Sequence, residues 1–147
     1  MKYSIRQADI GDKSVVLTLI SLQKWCLPMD TVFTPDAGYW WFVYDARGAP
    51  VGFAGMVHST RWADCVYLCR AGVLEAHQGN GLQARLVKTR IKKAKQLGMN
   101  WVITDTYQNP ASANSLINCG FKLFEPTKPW AGKGSLFWRY KITRAHT

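Results

Sequence analysis

Apolar residues alternate with polar ones in some stretches of the chain and recur at helical spacing in others, in an order that predicts an α/β fold. "KYSIRQA" reads as a strand, and "DKSVVLTLISLQKW" as an amphipathic helix capped near Asp12. Pro28 and Pro35 then interrupt the chain. "YWWFVYD" and "PVGFAGMVH", joined by a turn carrying Gly48, predict a β-hairpin, and "DCVYLCRAGVL" a further strand rich in β-branched and aromatic residues. Residues 82–97 predict the clearest helix: Leu82, Leu86, Val87, Ile91, Ala94 and Leu97 share one half of its wheel. Arg85, Lys88, Lys92 and Lys95 form a stripe on the other half, and Gly98 is placed to end the helix. "NWVITDT" is then a strand, "NPASANSLINC" a short helix, and "FKLFEP" with "SLFWRYKI" a closing antiparallel pair. Strands bracketing a helix, with hairpins at both ends, indicate a mixed α/β sheet.

Length adds that 147 residues suit one domain, 1–147, with no linker, repeat or low-complexity segment. Hydrophobic residues at 48% and charged residues at 19% belong to a globular chain rather than a disordered one. No apolar run approaches the ~18 residues of a membrane span. The start "MKYSIRQADIGDK" lacks a signal-peptide core, so the expected location is the cytoplasm of a bacterium or its phage. Cys26, Cys65, Cys69 and Cys119 form no C-x-x-C pair, and His58, His77 and His146 are scattered. Free thiols are therefore expected and a metal site is not.

Nineteen basic residues against nine acidic ones give a net charge of +10, which favours an anionic partner. Nucleic acid, an acidic protein and a phosphorylated cofactor all meet that description. The stretch "HQGNGLQARLVKTRIKKAKQLG" bears on the choice. A strand, two glycines and a helix set free backbone N–H groups at a positive helix end, an arrangement suited to an anion. Glycine permits both the unusual dihedrals and a close approach. A turn whose glycines only relieve strain is the plainer alternative. Neither G-x-x-x-x-G-K-[ST] nor G-x-G-x-x-G is present.

Val73 to Val87, "VLEAHQGNGLQARLV", resembles the acetyl-CoA motif of the GNAT superfamily of N-acetyltransferases, Gln/Arg-x-x-Gly-x-Gly/Ala after a strand. Gln78 takes its first position and Gly81 its fourth, with Gly79 between; the sixth is Gln83, and Ala84 follows one place later. Asn109 to Phe121, "NPASANSLINCGF", resembles the Asn-x-x-Ala/Ser helix that closes on Gly-Phe, and the order of elements agrees from Tyr3 to Ile142. The resemblance implies a single domain with a GNAT-like mixed, mostly antiparallel sheet flanked by helices. It implies acetyl-CoA as cofactor, an amine-bearing acceptor and direct acetyl transfer, in a monomer or homodimer without membrane association. The backbone of Ala71, Gly72 and Val73 would pair with the pantetheine arm. Gln78, Gly79, Asn80, Gly81, Leu82, Gln83 and Ala84 would hold the pyrophosphate, with Asn109 and Ser112 near the sulfur.

The family's acid is often a Tyr four residues before the closing Gly, where this chain has Leu116. Its base is often a Glu on the strand before the phosphate loop, where Tyr67 stands. Tyr67 and Asp105 are accordingly the catalytic candidates, each with a structural alternative: Tyr67 as a packed aromatic, Asp105 as a cap for the loop before Asn109. Tyr107, Asp64 and His58 are further candidates. Cys69 and Cys119 have no evident neighbouring base and are disfavoured as nucleophiles. Trp130, in "EPTKPWAGKGS", is either an apolar wall over the acceptor groove or part of a surface hairpin loop. The competing reading is a catalytically weak protein of this fold that binds nucleic acid or another acidic partner, kept open by Leu116 and the charge.

Overall fold

The computed structural model describes residues 2–144; His146 lies outside them. The chain runs β1 (Ser4–Ala8), α1 (Lys13–Cys26), β2 (Tyr39–Tyr44), β3 (Pro50–His58), β4 (Cys65–Val73), a 3-10 turn (Glu75–His77), α2 (Leu82–Gln96), β5 (Trp101–Thr106), α3 (Pro110–Asn118), β6 (Lys122–Phe124) and β7 (Leu136–Lys141). The seven strands follow the hydrogen-bonded order β1-β2-β3-β4-β5-β7-β6. β4 and β5 are parallel, whereas β1/β2, β2/β3, β5/β7 and β6/β7 are antiparallel. The sheet is therefore mixed, as the strand pattern indicates, and mostly antiparallel, as the resemblance implies. Backbone contacts divide the chain into two compact units: residues 2–57 with Cys69–Leu86, and His58–Leu68 with residues 87–144.

In the first unit β2 is apolar along its length because both its faces are buried. Trp40 and Phe42 pack with Phe53 of β3 and with Leu19 and Leu22 of α1. Val43, on the opposite face, packs with Tyr3, Val51, Ala54 and Val73, and with Leu82 and Leu86 of α2. Asp12 caps α1, its carboxylate accepting from the Ser14 amide at 2.9 Å and the Ser14 hydroxyl at 2.8 Å, and those bonds hold its pKa below the ordinary value. Gln23, 1% exposed, accepts from the Phe33 amide at 3.0 Å and donates to its carbonyl at 2.6 Å. Arg70 of β4 bonds both Gln23 and the Thr31 carbonyl, so the connection after α1 is pinned from two sides.

In the second unit β5 lies between β4 and β7. Successive strand residues face opposite ways, so Val102, Thr104 and Thr106 share a face with Trp138, whose indole N–H donates to the Thr106 hydroxyl at 2.9 Å. The other face carries Trp101, Ile103 and Asp105. α2 ends as a Schellman turn on Gly98 (φ 79°), whose amide reaches the Lys95 carbonyl while Met99 N–H reaches that of Ala94. Lys88, Lys92 and Lys95 are exposed and Leu86, Val87 and Ala94 buried, as the helical wheel requires. Arg90 is buried in the same helix, which the wheel did not single out.

Gly55 of β3 is fixed by packing. A Cβ there would stand 2.6 Å from the Trp40 ring and 2.7 Å from Cys69 Sγ. Trp40 is fully buried and has no room to withdraw. Gly55→Ala is therefore expected to destabilise the protein by about 1–3 kcal/mol, read as a lower urea midpoint with unchanged slope.

Candidate functional site

The first unit holds the glycine loop. Gly79 (φ 80°) and Gly81 (φ 70°) both lie in the left-handed region, and a Cβ built on either meets nothing within 4 Å. Glycine is needed here for backbone angle, and the space beside it is open. At the start of α2 the Arg85 N–H donates to the Gly81 carbonyl at 3.2 Å. The amides of Leu82 and Gln83 precede it in the first turn, where a helix leaves its donors without intrahelical partners. Gln78 turns its side chain back, Nε2 donating to the Val73 carbonyl at 3.1 Å and tying the loop to the end of β4. Tyr3 supports the loop from below: its hydroxyl lies 3.0 Å from His77 Nδ1 and 3.3 Å from Asn80 Nδ2, which also donates to the His77 carbonyl at 2.9 Å. Seventy-four residues separate Tyr3 from His77, and no local pattern in the sequence linked them. Arg85, the first member of the basic stripe, reaches the Tyr3 carbonyl at 3.4 Å.

The second unit holds the titratable groups. β4 pairs with β5 through Cys65–Tyr67 against Trp101–Ile103, which sets Tyr67 beside Ile103 and one side-chain period from Asp105 on the same face. The Tyr67 hydroxyl donates to Asp105 Oδ1 at 2.5 Å, and Trp130 Nε1–H donates to the same oxygen at 3.0 Å. Thus Tyr67 is more than a packed aromatic, and Asp105 does not cap α3. Asn109 does, its Oδ1 accepting from the Ser112 amide at 3.1 Å. Trp130 also meets Phe137 edge-on at 4.7 Å and Phe124 at 5.9 Å, so its loop is anchored over this face. The sequence leaves Trp130 as either an apolar wall or part of a surface hairpin loop, and nothing local in it indicates the bond to Asp105, 25 residues away.

Leu116 is buried at 5% exposure and supplies no proton. Tyr107 and His58 are exposed, and Asp64 accepts from Asn100 Nδ2 at 3.1 Å. None of the four cysteines is in a disulfide among the described residues. Burial pushes the thiol of Cys26 up to about 11 and, with the Asp64 charge, that of Cys65 up to about 12. Burial also raises Cys119, against the opposing pull of Lys88 and Arg90. A thiol kept protonated is a poor nucleophile, so these three are unsuited to carrying an acyl group. No group of three or more His, Cys, Asp or Glu among the described residues is arranged to hold a metal, and no helix among them is long and apolar enough to cross a membrane.

The model of the acetyltransferase (GNAT) family matches residues 9–121, more than half of the chain. The chain belongs to that family. Its members are acetyl-CoA-dependent transferases, so this GNAT protein is an acetyltransferase with acetyl-CoA as cofactor. Among solved structures, a putative acetyltransferase from Salmonella typhimurium with its cofactor acetyl-CoA aligns at TM-score 0.72 and 19% identity, over 100% of this chain and 98% of that one. An acetyltransferase from Bacillus subtilis in complex with CoA aligns at 0.73 and 15%, over 97% and 100%. The ribosomal-protein-S18-alanine N-acetyltransferase of Escherichia coli aligns at 0.74 and 12%, over 99% and 97%. At these identities the likeness is one of fold. No relative is found among curated protein sequences.

Two outcomes separate strain from contact in this GNAT protein. Gly79→Ala and Gly81→Ala should each cost about 1 kcal/mol from the left-handed backbone alone, although neither new methyl touches anything. Leu116→Met, which roughly conserves volume, should shift denaturation and turnover little. Chemical denaturation measures the stability effects, and release of CoA thiol the turnover.

Proposed function

We propose that the protein, acting as one domain over residues 1–147, transfers acetyl from acetyl-CoA directly to the amine of an acceptor. The observation that carries this reading is the Asp105 carboxylate, positioned by two donors on Oδ1 and with Oδ2 left for an incoming ammonium or amine. Acetyl-CoA, when bound, supplies the acetyl group as a thioester. The fit of the chain to that cofactor rests on Gly79 and Gly81: their backbone angles and the open space beside them suit a pyrophosphate approaching the main chain. In this reading Gln78, Gly79, Asn80, Gly81, Leu82, Gln83 and Ala84 receive the pyrophosphate, chiefly through backbone amides. Ala71, Gly72 and Val73 offer their backbone to the pantetheine, although the Val73 carbonyl already accepts from Gln78. Asn109 and Ser112 lie along the thioester end. The Asn109 Oδ1 and the Ser112 amide are spent on each other, which leaves the Ser112 hydroxyl for the cofactor.

Asp105 accepts the proton that the amine must lose to become nucleophilic. Tyr67 and Trp130 hold the carboxylate in place, and the Tyr67 hydroxyl is the nearest donor through which a proton can pass on. In the net reaction a C–N bond forms, the C–S bond breaks, and the amine's proton ends on the thiol of CoA. Thiols are far more acidic than amines, so the leaving group needs little help and Leu116 in the family's acid position is tolerable.

Lys88, Lys92 and Lys95 are exposed, and a basic stripe opposite an apolar helix face is in most proteins a solvated surface, which is the reading we adopt. Three results test the reading. Gly81→Glu should abolish acetyl-CoA binding by calorimetry in a folded protein, because charge and bulk enter the pyrophosphate's space; unchanged affinity would remove the loop's assignment. Tyr67→Phe should slow turnover on an accepted amine while leaving acetyl-CoA affinity intact. Replacing Lys88, Lys92 and Lys95 together by Gln should leave turnover nearly unchanged at physiological salt, whereas loss of a strong, salt-sensitive DNA affinity would favour the nucleic-acid reading.

A further inference from the structure

The sheet face that carries Asp105 continues into a cavity of about 260 Å³ lined by Trp62, Asp64, Cys65, Trp101, Ile103, Phe124 and Arg139. That volume is just below the ~300 Å³ at which pockets for whole small ligands begin, so it suits one group of a larger molecule. Its walls are largely aromatic, and they carry one guanidinium, that of Arg139, and one carboxylate, that of Asp64. Arg139 stacks at 4.8 Å from the centroid of Phe124 and 5.5 Å from that of Trp101, and Lys141 Nζ stands 5.9 Å from Trp101. The ring contacts orient the guanidinium, yet Arg139 makes no ion pair with any carboxylate among the described residues. Asp64, on the same wall, instead accepts from Asn100. A planar guanidinium held against two rings with its N–H edge unspent is preorganised for a bidentate carboxylate.

The position relative to Asp105 is set by strand register. Arg139 is the β7 partner of Ile103, and Phe137 that of Asp105. Arg139 and Asp105 thus lie on one face, two residues apart along the strand direction, about 7 Å. Phe124 and Trp130, in contact with each other, bridge them: Phe124 touches Arg139 and Trp130 donates to Asp105.

We infer that this cavity is an acceptor subsite that receives a carboxylate carried on an apolar or aromatic stem, with Arg139 as the carboxylate receptor. The inference rests on the proposed transfer to an amine at Asp105 and narrows its acceptor to molecules that carry both an amine and a carboxylate, joined by an apolar or aromatic stem.

Two measurements test this, one independent of catalysis. In calorimetry, 3-phenylpropionate, which has no amine, should bind the wild-type protein, and 3-phenylpropionamide should bind at least about tenfold more weakly. Arg139→Gln should erase that difference, and Arg139→Lys, which keeps charge but not the planar fork, should restore only part of it. Arg139 is exposed, so the fold should survive, and unchanged acetyl-CoA affinity in both variants checks that it does. In turnover, 4-(2-aminoethyl)benzoate should lose at least about tenfold in kcat/KM on Arg139→Gln, mainly through KM, while the corresponding benzamide should be unaffected. Carboxylate binding that depends on Arg139 without acetylation of any amine would keep the subsite and remove the proposed transfer. No binding of 3-phenylpropionate to wild type, equal binding of acid and amide, or a salt-sensitive oligonucleotide affinity lost in Arg139→Gln would overturn the subsite.

Discussion

The parallel pairing of β4 with β5 is the constraint on which the proposed chemistry depends. It runs through three residue pairs, Cys65–Tyr67 against Trp101–Ile103. That register sets the Tyr67 hydroxyl 2.5 Å from Asp105 Oδ1, with both side chains half-buried on one face of the sheet. A slip of one residue would turn Tyr67 to the opposite side, against Val102, Thr104 and Trp138, and would dissolve the carboxylate's environment. The pairing itself is secured by apolar burial: Val66 and Val102 are both fully buried, so the register is fixed by the core and not by the site it creates.

Around that junction, side chains from distant parts of the chain converge. Trp130 comes from the loop before β7 and spends its only donor on Asp105. Its ring is held by Phe124 and Phe137, and the Arg61 guanidinium lies 5.6 Å from its centroid. Arg61 also donates to the Lys128 carbonyl, tying the segment after β3 to the same loop. Such anchoring lowers the entropy that an acceptor would otherwise spend on ordering the loop. In the other unit the glycine loop is treated alike, with Gln78 returning to Val73 and Tyr3 bracing His77 and Asn80.

Much of this was legible in the sequence because it is periodic or local. The 3.6-residue repeat of Leu82, Leu86 and Ala94 gave α2, Asp12 marked a helix start by its capping chemistry, and Gly98 marked an end, whereas the cap of α3 is Asn109 and not Asp105, which the sequence left as a candidate. Gly79 and Gly81 announced left-handed backbone by being glycine. The unforeseen features are contacts between residues far apart in the chain. Nothing near Asp105 in the sequence indicates whether it caps a helix or binds Tyr67, and the bond of Trp130 to it spans a loop and two elements. Gln23 and Arg90 are polar helix residues that the apolar pattern does not single out, yet both are buried. Burial of a polar group is decided by the partner it finds, and the partner lies outside any local window.

Direct transfer to an amine at Asp105 is tested most plainly by Asp105→Asn, which keeps the shape of the side chain and removes its basicity. With acetyl-CoA saturating and an accepted amine in excess, single-turnover rates for wild type and variant should differ by about 10²–10⁴-fold, the range for loss of a general base. Acetyl-CoA affinity should be unchanged between them. A variant that transfers acetyl at the wild-type rate, with that affinity intact, would contradict the assignment of Asp105 and return the proton to solvent.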